Sequence, residues 1–523
     1  MTDYVVRGGK EQDTGVKTSN TQVVLASGET STDDESNPGQ ASLVPLRMKL
    51  ISILLVTAVG FGSHWSSGVT GAMKSTLKKQ LHINNAQYAV LEGSEDFMKT
   101  ALILVSGLLT DRIGGANAML YGNAIYSIGA IFIAAATTVR SYNFMIFGVV
   151  IQAFGDIATQ VAQYKIFSSW FAPSNGFAST LGFELGVGKI GSFVGKATAN
   201  VIAKKTGDFS WVYWTAVFMN LFTNVLTLIF WFFTNWCQRL YGGMQDPATG
   251  EKLTEKNKKF EFGKMLRLPW TFWGIVAFSL FQTSTAVVYS QNATEMAEQR
   301  FDIDAITAGW YSAMSQYFGF FLVPLIGVFV DLLGNRLTLM LVCGLGMLLS
   351  MCLAAWGPSI SGTAASFAIY AVASSFGPTV IIDSIRTSMR YQEVFGSGYA
   401  IKIAVNNSMS IIIRVVSGVV QDRDHNSYDN VVVIYVVLAA GAVVVAGALF
   451  ACSFWHVDAK ILQWTRKQRW QKADMINERR EASRVSVSGV RSRKLGLAFF
   501  VAFIVFMLGS WAAYFWGIAT SHR

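Results

Sequence analysis

The chain is poor in the residues that build catalytic and metal centres. It holds five histidines and four cysteines in 523 residues. Cys237, Cys343, Cys352 and Cys452 all fall in or at the end of apolar runs. They form no CxxC pair and no Cys/His cluster, so they read as buried thiols rather than disulfides or metal ligands. No nucleophile–base pair and no phosphate-cradling loop is visible, so the sequence implies no enzyme and no cofactor. Charged residues make up only 14%, against roughly 25% in an average soluble domain. That shortage excludes a soluble enzyme and a disordered scaffold. No signal peptide precedes the first apolar run near Met48, so that run is read as a retained span.

What fills the chain instead is apolar: 52% of residues are hydrophobic. Thirteen apolar runs of roughly 20 residues recur between residue 48 and residue 518, each long enough to cross a bilayer's hydrocarbon core. The net charge is +10 and the pI about 9.3. The basic residues sit in loops between runs, where membrane topology explains them and nucleic acid is not needed. With the N-terminus in the cytosol, 27 of the 42 basic residues fall on the cytosolic side and nine on the other. This is the positive-inside asymmetry. The expected organisation is a disordered cytosolic tail (1–46), a six-helix bundle (47–239), a charged cytosolic linker with an amphipathic helix (240–268) and a second six-helix bundle (269–458). A basic amphipathic cytosolic segment (459–494), expected on anionic lipid, and a thirteenth span (495–523) follow.

An internal repeat links the two halves. The second span ends in Gly107-Leu-Leu-Thr-Asp111-Arg112-Ile-Gly114, and the eighth in Gly327-Val-Phe-Val-Asp331-Leu-Leu-Gly334-Asn-Arg336. Both read GxxxDxxG, at matching places in two six-span halves. The glycines allow a tight turn and close helix approach. The aspartate can accept from a helix N-terminus or an arginine, so Asp111, Arg112, Asp331 and Arg336 are expected to gate the cytosolic layer. The alternative is that the aspartates only cap loops. Parallel repeats of this kind build a large class of transporters.

These residues resemble the signature loop of the major facilitator superfamily, GxxxDRxGRR, through Gly107, Asp111, Arg112 and Gly114; the trailing basic pair is Gly115-Ala116 here. Within that superfamily the chain is similar to the lysosomal dipeptide uniporters in three stretches: Gly62-Ser63 with LHINNAQY (81–88), VAQYKIFSSWF (161–171) and LGFELGVGKIGSFVG (181–195). The resemblance implies an all-α membrane protein, a major facilitator fold of two six-helix bundles, to which the sequence adds a thirteenth span. It further implies that the position of Lys189, an arginine in that subgroup, holds a substrate carboxylate. The subgroup's acid in the fourth span falls on Ile157, one place and about 100° of helix after Asp156.

A charge at bilayer depth costs a few kcal/mol and normally faces a cavity or a partner. Asp156 and Lys189 lie near mid-span on consecutive antiparallel helices. Together they could hold the two ends of a zwitterion, or pair with each other structurally. His64 is a second-tier candidate for substrate contact or proton coupling. Gln282, Tyr289, Gln316 and Asn406 could hydrogen-bond a peptide, or serve only helix–helix contacts. Glu92, Glu95 and Asp96 cluster at the non-cytosolic mouth of the second span, either as a gate or as a solvated vestibule with an internal Glu95–Lys99 pair. Arg414 and Asp383 are deep but belong to no motif. The fifth span carries glycines at 182/186 and 191/195, expected to pack closely against the other half.

The expected protein is a carrier of a small organic solute, dipeptides or similar zwitterions, working by alternating access as a uniporter or proton-linked carrier. A carboxylate, a sugar or another anion is the competing substrate class, and a non-transporting receptor the competing function. Its partners are the solute and the lipid bilayer, with no nucleic acid; the sequence leaves an accessory membrane subunit open. The resemblance suggests a lysosomal or vacuolar membrane, with the plasma membrane as the other choice.

Overall fold

Prolines, glycines and small capping side chains punctuate a chain that is otherwise long helix. In the computed structural model, which describes residues 45–241, 244–245, 252–253, 268–389, 395–485 and 488–521, the first half runs α1 (Leu46–Ala72), α2 (Lys74–Leu81), α3 (Asn85–Ile113), α4 (Gly115–Thr138), α5 (Tyr142–Trp170), α6 (Phe177–Thr206) and α7 (Ser210–Leu240). The second half runs α8 (Trp270–Phe301), α9 (Ala305–Leu333), α10 (Arg336–Trp356), α11 (Ser359–Ser388), α12 (Phe395–Arg423) and α13 (Asp429–Trp455). Three short helices follow: α14 (Val457–Lys460), α15 (Arg466–Gln471) and α16 (Ala473–Val485). The last is α17 (Ser488–Ser521). The expected tail through residue 44, most of the linker, Arg390 and the Asp111 side chain lie outside the described residues. Within the linker, Met244–Gln245 and Lys252–Leu253 form a short antiparallel pair, and most of the rest of the segment expected to carry an amphipathic helix lies outside the described residues.

Local chemistry sets the boundaries. α3 opens with a capping box in which the Gln87 amide donates to Asn84 Oδ1 at 2.7 Å and the Asn84 amide to Gln87 Oε1 at 3.0 Å. Pro45, Pro269 and Pro358 stand at the starts of α1, α8 and α11. Gly114 (φ +90°) and Gly334 (φ +68°) end the two repeats in conformations closed to most side chains, so the chain reverses there in one residue.

Eleven helices among the described residues are long and apolar enough to cross a membrane. α3 and α6 fall outside that set although they have 29 and 30 residues. They carry the charges of the seam between the halves. Apolar side chains on α7, α13 and α17, such as Phe218, Val444 and Val505, are more than half exposed. A bilayer would cover them. α3 packs on α12 and α6 on α9, so two helix pairs join the halves. The glycine pairs of α6 divide their work. Added side chains at Gly182 and Gly186 would strike Val323 and Pro324 of α9, but at Gly191 and Gly195 they would strike Phe61 and Trp65 of α1, in the same half. α17 lies against both halves: Tyr514 and Ser94 of α3 share a 2.8 Å hydroxyl bond, and Gly517 sits on Val415 of α12.

Candidate substrate site and its gates

A cavity of about 250 Å3 lies between the halves, lined by α1, α6, α8, α9 and α11. Lys189 reaches it from α6 and donates from Nζ to Gln316 Oε1 of α9 at 2.8 Å. Gln316 Nε2 donates to Ser290 Oγ of α8 at 3.0 Å. Lys196, two turns beyond Lys189, donates to the Ser290 carbonyl at 2.5 Å and to its Oγ at 3.1 Å. His64, Gln282, Tyr370 and Ser374 complete much of the polar lining, and Pro378, inside α11, adds an apolar edge.

Of the sequence candidates, the cavity therefore gathers Lys189, His64, Gln282 and Gln316. The other three lie elsewhere. Asp156 is not among the lining residues: Lys99 of α3 approaches its carboxylate to 2.5 Å while also bonding Glu95, so the acid expected beside Lys189 is paired with a different lysine. A buried lysine needs an anion, and helix α3 brings Lys99 to Asp156 where no spacing in the sequence could announce it. Tyr289 is fully buried inside the second half, its hydroxyl against Ser366 Oγ at 2.5 Å and its ring beside Tyr370 and Tyr435. The Asn406 side-chain amide and Ser279 Oγ share a 2.9 Å hydrogen bond between α12 and α8. Ile157, where the subgroup's acid falls, is buried in the apolar core.

Sequence reasoning passed over Lys196 and Glu184. Glu184 stands behind His64, 3.4 Å from its Nε2. Lys196 was visible as a charge inside a span, and its seven-residue spacing from Lys189 places both on one face of a helix.

Two layers of polar contacts join the halves, one toward each face. On the face where α1 begins, Asp331 of α9 sits on the first turn of α6, taking the Ser179 amide at 2.7 Å, its hydroxyl at 2.5 Å and the Ala178 amide at 3.4 Å. Helix N-termini favour an anion there. Gly327, four residues earlier, lets the two backbones touch, since a Cβ would lie 2.5 Å from the Ala178 carbonyl. Arg336 is fully buried, bonded to Asp383 and 3.1 Å from Ser174 Oγ of the first half. Arg112 is exposed.

The segment after α13 also docks on this face. Trp464 is buried, Gln463 Nε2 donates to Thr338 Oγ1 at 2.8 Å, and Arg469 Nη1 donates to the Pro173 carbonyl at 2.6 Å. Residues expected to face lipid are spent bridging the two halves.

On the opposite face Asp422 of α12 sits on the first turn of α3, accepting from the Asn85 and Ala86 amides at 3.2 and 2.9 Å. Beside it, Glu295 of α8 accepts from Lys74 at 2.8 Å and Lys78 at 2.7 Å. Burial lowers the Lys74 pKa, and Glu295 opposes that shift. Deeper in the seam, Arg414 donates to Asp96 at 2.9 Å and Glu92 at 3.1 Å. Glu92 and Asp96 therefore belong to a buried interhelical network rather than a solvated vestibule, while Glu95 is partly exposed and keeps the expected pair with Lys99. Asn292, which opens an Asn-Ala-Thr glycosylation motif in the sequence, is buried against Lys74 and Tyr435.

Residues 56–413 match the family model described as Major Facilitator Superfamily. Among curated proteins, the lysosomal dipeptide transporter MFSD1 of Pongo abelii is 26% identical over 150 residues, 28% of this chain and 31% of that protein. The Homo sapiens protein of the same name is 26% identical over 153 residues, 28% of this chain and 32% of that one. The chain thus matches about a third of the length of these relatives. Two solved structures share its fold. The proton:xylose symporter XylE bound to 6-bromo-6-deoxy-D-glucose gives a TM-score of 0.57 at 14% identity, over 77% of this chain and 94% of that one. FucP in the outward conformation gives 0.53 at 15% identity, over 77% and 99%. The matched family span is well over half of the sequence, and the chain belongs to the major facilitator superfamily.

Proposed function

We propose that this multi-pass membrane transporter moves small organic solutes bearing a carboxylate, dipeptides or similar zwitterions, by alternating access through the cavity between its halves. The observation that carries the reading is Lys189. Its ammonium stands in a polar cavity on the seam and is held by a neutral amide, Gln316, rather than by an acid. A carboxylate can displace that amide and gain a charge-assisted bond. The partial likeness to proteins named lysosomal dipeptide transporters supports the dipeptide class and an acidic-organelle membrane. The excess of basic residues on the face where α1 begins supports a cytosolic N-terminus. Asp156 no longer supplies the ammonium partner in this reading. The oxygens of Ser67, Ser290 and Ser374, all on the lining, take that part.

The test is counterflow into vesicles holding the purified chain, with amino acids, dipeptides and organic acids offered in turn. Dipeptide exchange is expected, and Lys189→Met should reduce it at least tenfold while Asp156→Asn reduces it less. Dipeptide exchange that survives Lys189→Met unchanged sinks the assignment of the carboxylate site.

A further inference from the structure

The cavity holds two lysines and, among the described residues, no acid on its lining. Lys189 and Lys196 are seven residues apart on α6, two helical turns or about 10 Å along the axis. Lys196 is 3% exposed, and its Nζ is satisfied only by the carbonyl and hydroxyl oxygens of Ser290 among the bonds described. The two ammonium groups are joined through Gln316, which accepts from Lys189 and donates to Ser290 Oγ, and Ser290 Oγ, which also accepts from Lys196. Two acids stand one residue back, and each is engaged. Glu184 is behind His64, and Glu92 is shared by Gln291 and Arg414. Burying an ammonium against neutral oxygens leaves most of its desolvation cost uncompensated. A second cation in so small a space adds repulsion, which falls with distance but persists where solvent is scarce.

We infer that Lys196 is a second anion-binding point, so that the carrier selects solutes with two carboxylates: peptides with an acidic side chain, or dicarboxylates. This rests on the proposed use of Lys189 for the first carboxylate. One carboxylate displaces Gln316 from Lys189, and the other displaces Ser290 from Lys196. The freed Gln316 amide and Ser290 hydroxyl then remain available to the solute's own polar groups. A solute with a single carboxylate leaves Lys196 on the Ser290 oxygens, as in the empty cavity, so a solute with two carboxylates gains a charge-assisted bond that the other lacks.

Alanyl-glutamate and alanyl-glutamine differ by one charge at nearly constant shape, and glutarate offers two carboxylates with no ammonium. Counterflow of these three, on the full chain in vesicles, tests the idea. The wild-type KM for alanyl-glutamate is expected at least tenfold below that for alanyl-glutamine, and glutarate should compete with the former. Lys196→Met should bring the two peptides within twofold, Lys196→Arg should keep the gap, and Lys189→Met should raise both KM values. Equal KM values in the wild type overturn the inference, as does a gap that persists in Lys196→Met. Transport of alanyl-glutamine with no preference leaves the carboxylate carrier standing and removes only Lys196. Failure of all three solutes to move in the wild type removes the carrier assignment itself.

Discussion

The two ends of the seam are built on one plan and reinforced differently. At the face where α1 begins, Asp331 caps the first turn of α6; at the other, Asp422 caps the first turn of α3. In both, a carboxylate from the second half sits on a helix N-terminus of the first, where backbone amides and the helix dipole hold it. The reinforcement differs. The Asp331 end is crossed by chain: Gln463, Trp464 and Arg469 lie over it, and Arg336 ties Asp383, Ser174 and the Leu462 carbonyl together. The Asp422 end is crossed by charge: Lys74, Lys78, Glu295, Arg414, Glu92 and Asp96 interlock across the halves. Ion pairs break one at a time and rehydrate as they part, whereas a docked segment must leave as a unit. Graded release is therefore expected at the Asp422 end and all-or-none release at the Asp331 end.

The largest expected effect comes from pinning each latch. With the four native cysteines replaced, Ser179→Cys/Asp331→Cys and Ala86→Cys/Asp422→Cys can each be bridged by a short thiol-reactive linker. Alternating access requires both ends to part. Either bridge should abolish vesicle counterflow, and the unbridged double variants should retain it. If one fully bridged pair still transports, that end does not open, and the comparison reduces to a single gate.

Next in size is Arg336→Ala. This arginine is fully buried, and its loss leaves the Asp383 carboxylate in the protein interior without its cation. Breaking one member of such a pair costs about 3–5 kcal/mol. A clear fall in the thermal midpoint of the detergent-solubilised protein is expected, with part of it recovered by adding Asp383→Asn. A loss below about 1 kcal/mol would mean that Leu462, Ser174 and the docked segment hold this end without the charge pair.

The sequence announced some of this and was silent on the rest for a physical reason. The paired GxxxDxxG repeats pointed to Asp331, which caps the first turn of α6, because glycine, aspartate and helix end are local features at fixed spacing. Lys189 was legible because a charge at mid-span is expensive wherever the helix goes. The identity of a charge's partner was not legible. Arg414 meets Glu92 across 322 positions, Lys74 meets Asn292 across 218, and Lys99 meets Asp156 rather than only its neighbour Glu95. Helical periodicity reports which face a residue occupies, but the partner's face is set by packing of whole helices. Lys196 falls between these cases. Its depth and its shared face with Lys189 were readable, but its partners, the Ser290 oxygens, came only with the fold.

The smallest effect should come from Glu295→Gln, and it separates the two ends most sharply. The substitution keeps shape and two polar atoms but removes the one anion that Lys74 and Lys78 share. Lys74 still has Asn292 Oδ1, Gln421 Oε1 and the Tyr428 hydroxyl at 2.9–3.1 Å, and Lys78 still has Asn85 Oδ1. Asp422, whose charge also acts on Lys74, remains, so the loss is that of charge assistance, about 1.5–3 kcal/mol, and the ammonium keeps a nearby anion. Because these bonds exist only while this end is closed, that energy should move the population toward the state open there, roughly tenfold for each 1.4 kcal/mol. A thiol probe placed on α2 at Ser75 should react faster in Glu295→Gln, while one placed at Ser174 under the docked segment should react more slowly. Equal rates at both probes in wild type and variant would show that the charged network stabilises the fold without gating it.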